Sequence, residues 1–296
     1  MASASAMPFL AGVEHRTIRA GGLDFHVAEA GVGDPLVLLH GWPQHWYMWR
    51  RVIPGLAERY RVICPDLRGL GWSDAPRFGY DKETLADDVA LLIDALGLER
   101  VRLAGHDWGG LAGFLLCLRH PGLVARYLAL NIVHPWPSMG LATLPALPRL
   151  WYQAVLGTPG LGPRLLRDAP GFVRWMLSVS AKRGTWSRDE LDAFAERLRE
   201  PARAEASSAI YRTFLMRELV PFLRGRYRDS RLDTPTLLLF GDRDRVQPVA
   251  LLDGYEAHAP AMQVEVVPGV GHFIAEEAPD LVLDRALRFF GDGEAA

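Results

Sequence analysis

Six short apolar runs recur along the chain and restrict its fold more than any other feature: Pro35 to His40, Tyr60 to Cys64, Val101 to Gly105, Tyr127 to Ile132, Thr236 to Phe240 and Gln263 to Val267. Runs of this length without polar alternation fit strands buried on both faces, as in a parallel sheet. Asp81 to Leu96 and Leu111 to Leu118 read as helices between them. Strand and helix therefore alternate, which builds an α/β fold: a mostly parallel twisted sheet flanked by helices. Leu23 to Ala28 alternates with a period of two and suggests an antiparallel start to the sheet.

The alternation lapses between Pro135 and Asp233, where helical patterns are broken by Pro and Gly and no good strand appears. Ser187 and Glu190 have the spacing of a capping box that opens one of these helices. Because the strand pattern resumes at Pro235, the stretch reads as an insertion between two strands of one sheet. The expected organisation is a helical lid, 135–233, on a core formed by 1–134 and 234–296. No internal repeat appears, and no low-complexity tract other than the tail.

Composition narrows the partners. With 49% apolar and 23% charged residues and a net charge of -2, nothing electrostatic points to nucleic acid or an anionic membrane, and small neutral ligands remain open. No segment has the roughly 18 to 20 apolar residues of a membrane span. Met1 to Gly12 lacks the basic start of a signal peptide, so a cytoplasmic protein with a loose Ala/Ser-rich N-terminus is expected. Cys64 and Cys117 sit in apolar surroundings and read as small buried hydrophobes.

The chemistry concentrates in Gly105-His106-Asp107-Trp108-Gly109-Gly110, directly after a predicted strand and before a predicted helix. A turn this tight strains the backbone at its apex, and only small neighbours let the chain pass; this is the pattern of a nucleophile elbow. The segment lacks the spaced glycines and the Lys of a phosphate loop. An earlier strand ends in His40-Gly41-Trp42-Pro43. The backbone N–H groups of Trp42 and Trp108 are then the two natural donors of an oxyanion hole. Late in the chain, Asp244 and His272 each follow a predicted strand, which brings both to the carboxyl edge that carries Asp107. Asp242 competes with Asp244 for the acid role, and Asp244 is preferred. An ionised carboxylate needs no base to attack carbon, so Asp107 suits formation of an alkyl ester. Water activated by His272 and Asp244 would then hydrolyse that ester.

These residues resemble the α/β-hydrolase superfamily, and within it the epoxide hydrolases. The likeness runs from about Glu14 to Phe290 and includes Pro65-Asp66-Leu67-Arg68-Gly69 and Gly71-Trp72-Ser73-Asp74. Trp151-Tyr152-Gln153 with Thr158-Pro159-Gly160 looks like the family's first lid motif, and Ile210-Tyr211-Arg212 like its second. The resemblance implies that Tyr152 and Tyr211 protonate the epoxide oxygen and that His40 and Gln153 contact substrate. Without that match the tyrosines would pass for half-buried packing residues. It also implies a small apolar epoxide and water as the partners and no cofactor or metal, and it leaves a homodimer open. Trp175, Met176, Phe214 and Leu215 suggest an apolar pocket. Haloalkane dehalogenase is the rival, with Trp108 and a lid Trp such as Trp151 or Trp175 holding halide. Many dehalogenases carry Asn where Trp42 stands, and fluoroacetate dehalogenases typically carry Arg where Trp108 stands. A non-catalytic receptor with the same fold is a further alternative.

Overall fold

The computed structural model describes residues 6–137 and 151–291. The first residues of the Ala/Ser-rich start, residues 138–150 of the expected lid and the tail lie outside it. The chain begins with β1 (Glu14–Ala20), β2 (Leu23–Ala30), β3 (Asp34–Leu39), α1 (Ile53–Ala57) and β4 (Tyr60–Pro65). It continues through α2 (Lys82–Ala95), β5 (Val101–His106), α3 (Asp107–Arg119) and β6 (Val124–Leu130). Helices α4 (Trp151–Gly157), α5 (Leu161–Asp168), α6 (Pro170–Ser180), α7 (Arg188–Ala195), α8 (Pro201–Thr213) and α9 (Leu219–Leu223) follow. The sheet resumes with β7 (Thr236–Gly241) and β8 (Met262–Val267), before α10 (Ile274–Glu277) and α11 (Pro279–Gly291).

The eight strands form one sheet in the order β1-β2-β4-β3-β5-β6-β7-β8. β1 and β2 pair antiparallel, β2 meets β4 antiparallel, and every later pairing is parallel. The central strands are apolar along their length because both faces are covered: Leu36 to Leu39 and Leu237 to Phe240 are buried. Each such Leu contributes about 1.5–3 kcal/mol relative to exposure. Helix α3 is buried from Asp107 to Cys117, as a helix apolar on every side must be. Helix α2 is amphipathic instead. It buries Leu85, Val89, Leu92 and Ile93, and the Asp81 carboxylate accepts from Thr84 N–H at 2.9 Å to cap its start.

Strand β1 is the element that the apolar pattern does not announce. Its sequence, Glu-His-Arg-Thr-Ile-Arg-Ala, is mostly exposed, because it is an edge strand paired only with β2. Charges suit such an edge, since they discourage pairing with another chain. The helices between β6 and β7 fall where the strand pattern lapses. Ser187 and Glu190 make the reciprocal capping box at the start of α7. The Glu190 carboxylate also accepts from Arg50 and Arg51 of the core. Arg197 donates to the Gly71 carbonyl at 2.7 Å, and Arg203 donates to that of Ser73. Buried arginines thus fasten these helices to the loop that follows β4. Among the described residues no helix is long and apolar enough to cross a membrane.

Candidate active site

Strand β5 turns into α3 without a linker, and Asp107 at the apex has φ of 51°. A non-glycine residue held in this left-handed region costs about 1–3 kcal/mol, so the surroundings must enforce it. They do so by backbone contact. A Cβ on Gly109 would lie 2.3 Å from the His40 carbonyl oxygen, and one on Gly41 would lie 2.3 Å from the Asp107 Cβ. The elbow and the loop after β3 are therefore packed too closely for any side chain at either glycine.

Trp42 N–H donates to Asp107 Oδ1 at 2.9 Å, and the backbone N–H of Trp108 favours the charged form of this carboxylate. Asp107 Oδ2 lies 3.6 Å from His272 Nε2. The other side of the imidazole, Nδ1, bonds Asp244 Oδ2 at 2.8 Å. Asp242 does not meet the histidine; it accepts from Gly269 N–H at 2.7 Å near the surface.

The fixed position of Asp244 comes from donors on both of its oxygens. Val246 and Gln247 N–H donate to Oδ1 at 2.6 and 2.9 Å, and Asn131 Nδ2 donates to Oδ2 at 2.8 Å. Asn131 escaped the reading of the sequence because it sits within the run Tyr127 to Ile132, where one amide looks like an interruption. It is fully buried, has φ of 42° and also donates to the Gly271 carbonyl at 3.1 Å. A polar residue at the carboxyl end of β6, on the edge that carries Asp107, Asp244 and His272, was the available signal. His106 is a second such residue. Its Nε2 bonds the His272 carbonyl at 2.8 Å, and burial pushes its pKa down to about 4, so it stays neutral.

Charge is balanced between three buried groups. Burial alone would lower the His272 pKa, but the carboxylates of Asp244 and Asp107 outweigh it and raise it to about 10. Burial alone would raise the Asp107 pKa, and His272, His106 and the Trp108 N–H outweigh it and hold it below the usual carboxylate range. At neutral pH the resting site holds an imidazolium between two carboxylates.

Tyr152 on α4 and Tyr211 on α8 are both buried, with ring centroids 5.7 Å apart. Tyr211 stands edge-on to the Trp42 ring at 5.2 Å and to the Trp108 ring at 5.9 Å, and Tyr152 stacks on Trp42 at 6.5 Å. Both rings therefore lie against the indole of Trp42, and that of Tyr211 also against the indole of Trp108. Burial first pushes both above the ordinary tyrosine pKa, and then Asp107 adds to it for Tyr152, and Tyr152 and Asp107 for Tyr211. Gln153 Nε2 donates weakly to the Tyr152 hydroxyl at 3.4 Å, and its Oε1 has no partner. His40 departs from the expectation that it contacts substrate. Its Nδ1 bonds the Gly41 carbonyl at 3.0 Å and its Nε2 accepts from Leu67 N–H at 2.9 Å. Both ring nitrogens are committed to backbone, so His40 pins the loop after β3 and offers no polar atom to a ligand.

The profile of a family described as alpha/beta hydrolase fold matches residues 34–279. The soluble epoxide hydrolase of Corynebacterium sp. (strain C12) is 31% identical over 288 residues, which cover 94% of this chain and 97% of that protein. The chain belongs to the α/β-hydrolase family, in its epoxide hydrolase branch. The crystallised epoxide hydrolase CorEH superposes on this hydrolase with a TM-score of 0.82 at 30% identity, covering 95% of this chain and 99% of that one. A fluoroacetate dehalogenase of Burkholderia sp. is also similar, 30% identical over 283 residues and 91% of each chain.

Proposed function

We propose that this hydrolase converts a small apolar epoxide to a vicinal diol through a covalent ester on Asp107. The observation that carries the reading is the pairing of Tyr152 with Tyr211 against the indole of Trp42, a residue whose backbone N–H meets a carboxylate that sits on an elbow. In the first step an oxygen of Asp107 attacks an epoxide carbon, and the carbon–oxygen bond of the ring breaks. The released oxygen takes a proton from one phenol and a hydrogen bond from the other. Phenols suit this step because burial keeps them protonated, and because an alkoxide leaves poorly until its charge is neutralised. The insertion 135–233 acts as the lid that presents them.

In the second step a water oxygen attacks Cγ of the ester. His272 removes the proton, the Trp42 and Trp108 N–H groups hold the tetrahedral oxyanion, and collapse breaks the bond to the diol oxygen, which takes the proton of the newly added hydroxyl and leaves Asp107 as carboxylate. His272 changes its charge state on cue. Forming the ester removes the Asp107 charge, and with it one of the two carboxylates that kept the imidazole protonated. The imidazolium then gives up its proton, which returns to the phenolate formed in ring opening, and the neutral imidazole is free to act as a base. Asp107→Asn imitates that loss of charge. The His272 pKa should fall from about 10 toward the ordinary histidine value when followed by nitrogen-15 NMR. An unchanged titration would leave the second step without its base.

One turnover in water labelled with oxygen-18 tests the covalent route. The label should enter the Asp107 carboxylate, detected by mass spectrometry of its peptide, and the diol from that turnover should carry none. Label found only in the diol would mean that water opens the ring directly. One observation favours a second reading, displacement of halide from a haloalkane: the indole N–H groups of Trp42 and Trp108 are buried without hydrogen-bond partners. Release of diol against release of halide, on a panel of small epoxides and haloalkanes, separates the two.

A further inference from the structure

Lys82, the first residue of α2, has a side chain only 1% exposed, the lowest of any lysine or arginine among the described residues. Taking an ammonium out of water costs several kcal/mol unless its donors are met, and here all three are. Nζ donates to the Tyr80 carbonyl at 3.2 Å, to the Ile210 carbonyl at 3.4 Å and to Glu218 Oε2 at 3.0 Å. It also lies 4.5 Å above the Trp108 ring and 5.5 Å from that of Phe214.

The acceptors from the insertion reach it through an irregularity. Helix α8 widens after Thr213 into a π-turn over Phe214–Glu218, in which Leu219 N–H bonds the Phe214 carbonyl five residues back. Such turns often occur at functional sites. Here the turn delivers Glu218 to the start of α2, where its second oxygen accepts from Lys82 N–H at 2.7 Å. One cation therefore touches the indole of the residue after Asp107 and the carbonyl of the residue before Tyr211.

We propose that Lys82, held by Glu218, is a positioning residue for ring opening: it fixes the Tyr211 phenol relative to Asp107 and Trp108. This rests on the epoxide reading above. A displacement of about 1 Å in a reacting group can cost 10²-fold in rate. Ester hydrolysis needs no such fixing, because its donors at Trp42 and Trp108 are backbone groups held by the elbow and the loop after β3.

The test separates the two chemical steps by rapid mixing with styrene oxide, or with whichever epoxide the wild type opens fastest. In Lys82→Met, ester formation should slow by about 10- to 100-fold while ester hydrolysis stays within about threefold. In a Tyr211→Phe background the same change should have little further effect, since the group it positions is gone. A parallel loss in both steps, or a Lys82→Met effect that multiplies unchanged onto Tyr211→Phe, overturns the proposal by reducing Lys82 to a structural anchor. Glu218→Gln, at a position 17% exposed, carries the same expectation if Lys82→Met does not fold, and wild-type ester formation in it is equally decisive. If Tyr211→Phe alone leaves ester formation intact, the epoxide reading fails at its acid, and this proposal goes with it.

Discussion

His272→Gln should halt the enzyme after one ring opening. Nothing in the first step calls for a base, because Asp107, held below the usual carboxylate pKa range, is already ionised. The second step needs His272 to take a proton from water, a contribution of about 10²–10⁴-fold when a positioned base is removed. Turnover should fall by that factor, and intact-protein mass spectrometry should show the chain heavier by one epoxide. Gln can still donate to Asp244, so the fold around the carboxylate is preserved. Continued diol release near the wild-type rate, or slow turnover with no adduct, would place His272 outside the hydrolytic step.

The paired replacement Tyr152→Phe with Tyr211→Phe should abolish the other half of the cycle. Each phenol removed takes one donor from the oxygen that becomes an alkoxide, and loss of one comparable donor costs about 10²–10³-fold. Together the two changes should leave ester formation too slow to follow on a mixing instrument, with no adduct accumulating even in the His272→Gln background. Each ring stays packed against the indole of Trp42, so the thermal midpoint should move little. Rapid adduct formation in the doubly changed enzyme would exclude the phenols as acids and favour a leaving group that needs no proton, such as halide.

The gathering of Asp107, Asp244 and His272 at one edge was legible in the sequence because each is polar at the end of an apolar run, where a parallel sheet gathers its strand ends. The choice of Asp244 over Asp242 agrees with the geometry, since only the former faces His272. Asn131 was hidden by the same logic, as a single amide within a run that reads as strand. His40 was misjudged because a histidine beside a catalytic loop looks like a ligand contact until its two nitrogens are traced to backbone. Lys82 was invisible for a different reason. It reads as a solvated residue at a helix start, and its burial depends on a π-turn more than a hundred residues away in the chain, which no local pattern encodes. Edge strand β1 was lost because an exposed, charged strand has no apolar face to announce it.

Strands β6 and β7 are hydrogen-bonded neighbours, yet the whole run of helices that carries both tyrosines lies between them. Because the two strands run parallel, with Tyr127 opposite Thr236 and Leu130 opposite Leu239, the chain leaves at the carboxyl end of β6 and re-enters roughly 10 Å back along the sheet, a closure whose entropic cost grows only with the logarithm of the excursion's length. Asn131 at the exit and Asp244, beyond the carboxyl end of β7, are joined by a hydrogen bond, which sutures the carboxyl ends of the two strands at the candidate site. Helices can be added to, removed from or exchanged within this excursion while the suture keeps the hydrolytic apparatus in register. A scaffold of this kind can trade one electrophile for another by remodelling its roof, which accords with epoxide hydrolases and a dehalogenase standing at similar distances from this chain.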